Sequence, residues 1–208
     1  MFYYFRYYII FCFLKSGGIT IKKEIKNIII CAFTANICFI LSFITIFKMP
    51  FGGSVTLAHT LPLIFLSFFK GYKSGGKAAL IFSFMKIIFS FHIPPSKNIY
   101  SYLLVILLDY FIPYFLIGIV SCYSRFFKTE KNNMLFGIII SESLRLVSSI
   151  ISGFIIWNGY FNFSAEILCY SVIYNLSYMV PNLIISLVAF GMVYKPIKKT
   201  VEDFNHTF

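Results

Sequence analysis

Four charged side chains fall inside runs that are otherwise apolar: Lys86, Asp109, Glu142 and Arg145. Asp109 is the sharpest case, a lone carboxylate in LVILLDYFIPYFLIGI, residues 104–119. A charge at bilayer depth costs roughly 2.5–3.5 kcal/mol on insertion scales, so it persists where it faces a cavity, a ligand or a partner. Glu142 and Arg145 are three apart and share a helix face, which suits an ion pair as well as a ligand contact. No basic residue flanks Asp109 within its own run; Lys86 or an amine-bearing ligand could complement it. An Asp109/Glu142 proton relay is the further chemistry these residues allow.

Polar residues recur at helical spacing around these charges. Arg145, Ser149 and Ser152 lead up to Trp157, the chain's single tryptophan. Ser171, Asn175, Tyr178 and Asn182 share a second face, flanked by Tyr170 and Tyr174. Such stripes either pack helices together or recognise a flat, hydrogen-bonding, cationic heterocycle, which needs stacking rings plus amide and carboxylate groups at its edge.

These residues sit in a chain of 208 residues with mean hydropathy +0.85, 59% of it hydrophobic and only 12% charged. That balance requires a bilayer rather than water as solvent and predicts an all-α integral membrane protein. Apolar runs at about 26–47, 55–69, 75–93, 100–124, 134–157 and 168–194 predict a six-helix bundle, the second run short and interrupted by Pro62. Residues 1–20 form an apolar, aromatic extension broken by Arg6, and 21–208 a single membrane domain. Of the eighteen basic residues, only Lys48 and Lys97 fall in predicted outer loops. Most of the rest cluster on the other side, which predicts both termini inside, a multi-pass cell-membrane protein and no nucleic-acid partner. The five scattered cysteines show no metal or disulfide spacing. No Walker, HExxH or GxSxG motif is present, so neither ATP hydrolysis nor enzymatic catalysis is expected, and no cofactor or metal. His59 and His92 stand near predicted helix ends and suit interfacial positions. Small residues at four-residue spacing on the first helix, Cys31/Ala35 and Ala32/Asn36, suit close helix packing, within the bundle or against another subunit.

KMPFGGSVTLAHTLPLIFLSFFKGYKSG, followed in order by LLDY (107–110), RLVSSIISGFIIWNGYF (145–161) and YSVIYNLSYMVPNLIISL (170–187), resembles the thiamine-specific S components of energy-coupling factor (ECF) transporters. The resemblance runs from about Lys26 onward. It implies a six-helix S-component fold that binds thiamine and works with a membrane coupling subunit and two cytoplasmic ATPases. It further implies ligand contacts at Asp109, Tyr110, Trp157, Tyr170 and Asn175, a basic position at Arg145, a lid at about 48–56, and subunit docking through Cys31, Ala32 and Ala35. Two positions depart from the pattern: Ser149 stands where the family has histidine, and Lys86 adds a charge. Both alter the chemistry of the expected pocket, which keeps related pyrimidine or thiazole compounds beside thiamine as ligands. A self-sufficient proton-coupled carrier using Asp109 and Glu142 is the alternative, distinguished by uptake that survives loss of the ATPases.

Overall fold

The computed structural model describes residues 23–49, 52–94, 98–156 and 165–206. The amino-terminal extension 1–20 and Trp157 lie outside these. Helix α1 (Lys23–Phe43) leads into a two-stranded ribbon, β1 (Thr45–Lys48) and β2 (Ser54–Thr56). Helices α2 (Leu61–Lys70) and α3 (Tyr72–Ser90) follow. The next span is segmented into α4 (Ile99–Val105), a π-helical turn (Ile106–Phe111), α5 (Ile112–Gly118) and α6 (Val120–Tyr123). Two long helices, α7 (Glu130–Ile155) and α8 (Ala165–His206), complete the bundle.

Among the described residues, four helices can cross a membrane by length and composition: Glu24–Phe43, Ile99–Gly118, Glu130–Ile155 and Ala165–Val201. Of the other two expected spans, α3 is long but carries Lys73, Lys77 and Lys86, and α2 has only ten residues. Seven of those ten are buried, so α2 is shielded by the other helices. Pro62 does not interrupt it: it occupies the first turn, where a missing N–H costs nothing. At 42 residues, α8 is roughly 60 Å long, about twice the hydrocarbon thickness.

The ribbon corrects the all-α expectation. Residues 44–47 extend the apolar run of α1, but Thr45–Lys48 pairs antiparallel with β2, Phe47 opposite Val55 and Lys48 opposite Ser54. Ile44, Thr45 and Ile46 favour an extended chain through β-branching. Gly52, at φ +101°, adopts the turn conformation that glycine tolerates best.

The π-helical turn has a cause in the sequence. Pro113 has no N–H to offer the Asp109 carbonyl four residues back, so the regular ladder fails there. Neighbouring helices supply partners for freed carbonyls: Ser148 Oγ donates to Leu108 O at 2.6 Å, and Ser83 Oγ to Tyr110 O at 3.1 Å. Below it, α3 and α5 approach at Gly75 and Gly118, where a Cβ on Gly118 would meet Ala79 Cβ at 2.5 Å.

Candidate functional site

The interior between the ribbon, α2, the π-helical turn, α7 and α8 is polar, although most of the bundle's packing is apolar. Its floor is a buried ion pair. Glu142 Oε2 accepts from Arg145 Nη1 at 3.1 Å, and Glu142 Oε1 from Thr60 Oγ1 at 2.6 Å. Arg145 also lies over the Tyr114 ring, 5.5 Å from its centroid, so ring electrons and carboxylate together offset its desolvation. Lys86 is near enough for its charge and that of Arg145 to act on each other. The pairing of Glu142 with Arg145 is thus as their spacing suggests.

Helix α8 supplies one wall. Ser171, Asn175, Tyr178 and Asn182 are all buried on one face, as their period demands. Asn175 Nδ2 donates to Ser171 O at 2.9 Å, while its Oδ1 accepts from Tyr178 Oη at 2.8 Å. On α7, Arg145, Ser148 and Ser152 are buried. Ser149 is half-buried, and its carbonyl is 3.4 Å from Asn175 Nδ2.

Asp109 is carried by the π-helical turn, a device that re-aims side chains at functional positions. It is half-buried and acts electrostatically on Tyr114 and Tyr178. Tyr110 is buried and ties the turn to the end of α3: its hydroxyl donates to Ser90 O at 2.9 Å and accepts from His92 N at 3.1 Å.

The ribbon forms the roof. Asn182 reads its inner strand as a neighbouring strand would: Oδ1 accepts from Thr56 N at 2.8 Å and Nδ2 donates to Ser54 O at 2.8 Å. Gly53 N donates to Tyr174 Oη at 3.1 Å. Beyond the ribbon, His59 is buried, its Nδ1 2.6 Å from Thr56 Oγ1. An interfacial place for His59 is therefore corrected; its ring packs near Phe82 and Tyr114. A Cβ on Gly53 would sit 2.8 Å from the Tyr178 ring. Gly53→Ala is therefore expected to lift the roof, seen as hydrogen exchange at residues 44–56 severalfold faster than in the unmodified protein.

Two other expectations change. Tyr170 is 62% exposed and stacks on Tyr174 at 6.2 Å. It is one position off the buried Ser171 face, so the helical turn carries it to the flank. On α1, Cys31 and Ala35 are buried, and Cys31 Sγ donates to Ser74 O of α3 at 3.3 Å. Those two small residues are spent on packing within the bundle. Ala32, half-buried, and Asn36, exposed, lie off that face. Thr56, Thr60, Ser148 and Tyr114 belong to the polar interior without having been singled out; the turn-forming GGSVT stretch ahead of Thr60 was the signal for the first two. A separate cavity of about 240 Å³, lined by Phe68, Arg125, Lys128, Glu130 and Asn133, lies at the far end of α7 and holds none of these groups.

The fold is that of a helical membrane bundle whose polar interior is roofed by a two-stranded ribbon. The description "Thiamine transporter protein (Thia_YuaJ)" covers the family whose profile matches residues 28–202, and the chain belongs to that family of transporters. It is 26% identical over 157 residues to the thiamine transporter ThiT of Bacillus subtilis, covering 71% of this chain and 78% of that one. Its fold matches a solved structure of ThiT from Listeria monocytogenes with a TM-score of 0.67 at 17% identity, over 86% of this chain and 99% of the other.

Proposed function

We propose that this protein binds thiamine as the S component of an ECF-type importer in the cell membrane. It would cross six times with both termini inside and deliver its ligand with a separate coupling subunit and two ATPases. The observation that carries the reading is the buried Asn175–Tyr178 pair on the face of α8 whose Asn182 holds the ribbon, with Asp109 carried by the π-helical turn. A carboxylate suits a cationic, amine-bearing ring, an amide suits the polar edge of a pyrimidine, and the tyrosines supply flat surface. Tyr110, Arg145, Ser149 and Trp157 complete the proposed contacts. Tyr170 would join by turning inward around bound ligand. The relatives' thiamine-transporter names support the ligand.

Trp157, the single tryptophan, gives the test. In detergent-purified protein, thiamine should quench its fluorescence saturably. Asp109→Asn should weaken binding roughly tenfold, the worth of one charge-assisted contact. A response to the isolated pyrimidine or thiazole half, with none to thiamine, would keep the site and change its ligand. Uptake by intact cells that persists without the ATPases but collapses with the proton gradient would replace the importer by a carrier using Asp109 and Glu142.

A further inference from the structure

Ser152 Oγ is the one buried side-chain oxygen or nitrogen among the described residues that has no hydrogen-bond partner. The residue is fully buried, at 0% exposure. A buried, unsatisfied hydroxyl costs about 1–3 kcal/mol, so a native bundle keeps one where something else pairs with it. The usual remedy in a helix is a bond back to the carbonyl four residues earlier. Ser83, Ser124 and Ser143 all take it, donating to Ala79 O, Val120 O and Ile139 O. Ser152 does not.

Its position indicates what it serves. One turn back on the same face, Ser148 donates to Leu108 O, the residue before Asp109. Two turns back lies Arg145, over Tyr114. The neighbouring Gly153 packs so closely on α8 that a Cβ there would collide with Ser171 Oγ, and Asn175 Nδ2 lies 3.5 Å from the same point. Ser152 thus shares the buried face of α7 that carries Arg145 and Ser148, and its neighbour Gly153 packs against the Ser171–Asn175 face of α8.

We propose that Ser152 is a specificity-determining ligand contact, its hydroxyl hydrogen-bonding the polar edge of a bound nitrogen heterocycle. The inference rests on the thiamine-binding reading and adds a residue to it. A hydroxyl both donates and accepts, so it matches a ring nitrogen or an exocyclic amine.

The test pairs two measurements on Ser152→Ala: thermal unfolding of the ligand-free protein and thiamine affinity by calorimetry. Removing an unsatisfied hydroxyl leaves ligand-free stability unchanged or raised, while affinity falls roughly five- to tenfold. Ser152→Cys, similar in size with a weak S–H donor, should lie between. Unchanged affinity in Ser152→Ala, with the unmodified protein binding thiamine, overturns the inference alone and assigns the hydroxyl to a trapped water. A fall in ligand-free stability overturns it too, since the hydroxyl would then be structural. Failure of the unmodified protein to bind thiamine overturns the functional reading and this contact with it.

Discussion

Glu142→Ala should destabilise the bundle by about 3–5 kcal/mol, because it leaves a guanidinium buried without its counter-charge. Arg145 is 8% exposed, and among the described residues its ion-pair partner is Glu142 at 3.1 Å. The Tyr114 face returns only part of the desolvation cost. The substitution also strips Thr60 Oγ1 of its acceptor, at the start of α2. Thermal unfolding in detergent measures the loss, and two further variants identify its origin. Glu142→Gln keeps an acceptor for Thr60 and should be less damaging. Replacing both charges, Glu142→Leu with Arg145→Leu, should restore most of the stability, since an apolar pair of similar volume removes the stranded charge. If the double variant is as unstable as Glu142→Ala, the loss comes from the missing acceptor for Thr60 and not from a stranded guanidinium.

That pair was legible in the sequence because both partners sit on one helix, three residues apart. The face of α8 was legible for the same reason: Ser171, Asn175, Tyr178 and Asn182 follow the helical period and are buried together. Contacts between distant segments were not. Thr60 meets Glu142 across 82 positions and Thr56 meets Asn182 across 126, and no local pattern encodes either. The end of α1 is ambiguous in the sequence because Ile44, Ile46 and Phe47 suit a buried helix or strand alike; only the β-branching of Ile44, Thr45 and Ile46 and the following Gly52-Gly53 favour the ribbon. The small residues of α1 show a limit of spacing as evidence. Cys31 and Ala35 permit close approach to any helix, and here α3 takes the position. In the fourth span, Pro113 marked a break in the ladder, but the partners that make a π-helical turn tolerable, Ser148 and Ser83, come from other helices.

The distant contacts at Asn182 also make the strongest prediction about ligand exchange. Its side chain replaces a missing strand neighbour, satisfying Thr56 N–H and Ser54 C=O with two bonds of 2.8 Å, while its Nδ2 also donates to Tyr178 O at 2.9 Å. Asn182→Leu keeps the approximate volume and removes both bonds to the roof. The closed ribbon then holds a backbone donor and acceptor that are satisfied by water only when it opens, which favours opening by about 2–4 kcal/mol. Thiamine release, followed in stopped flow through Trp157, should accelerate roughly thirtyfold or more. Hydrogen exchange at residues 44–56 should rise in the ligand-free protein, a readout independent of ligand identity. Asn182→Asp separates the two bonds: its carboxylate can still accept from Thr56 N but cannot donate to Ser54 O. An intermediate release rate is therefore expected. Faster exchange with unchanged release would mean that the ribbon opens without governing escape of the ligand. If neither quantity moves in Asn182→Leu, Tyr174, through Gly53 N, is the contact that holds the roof.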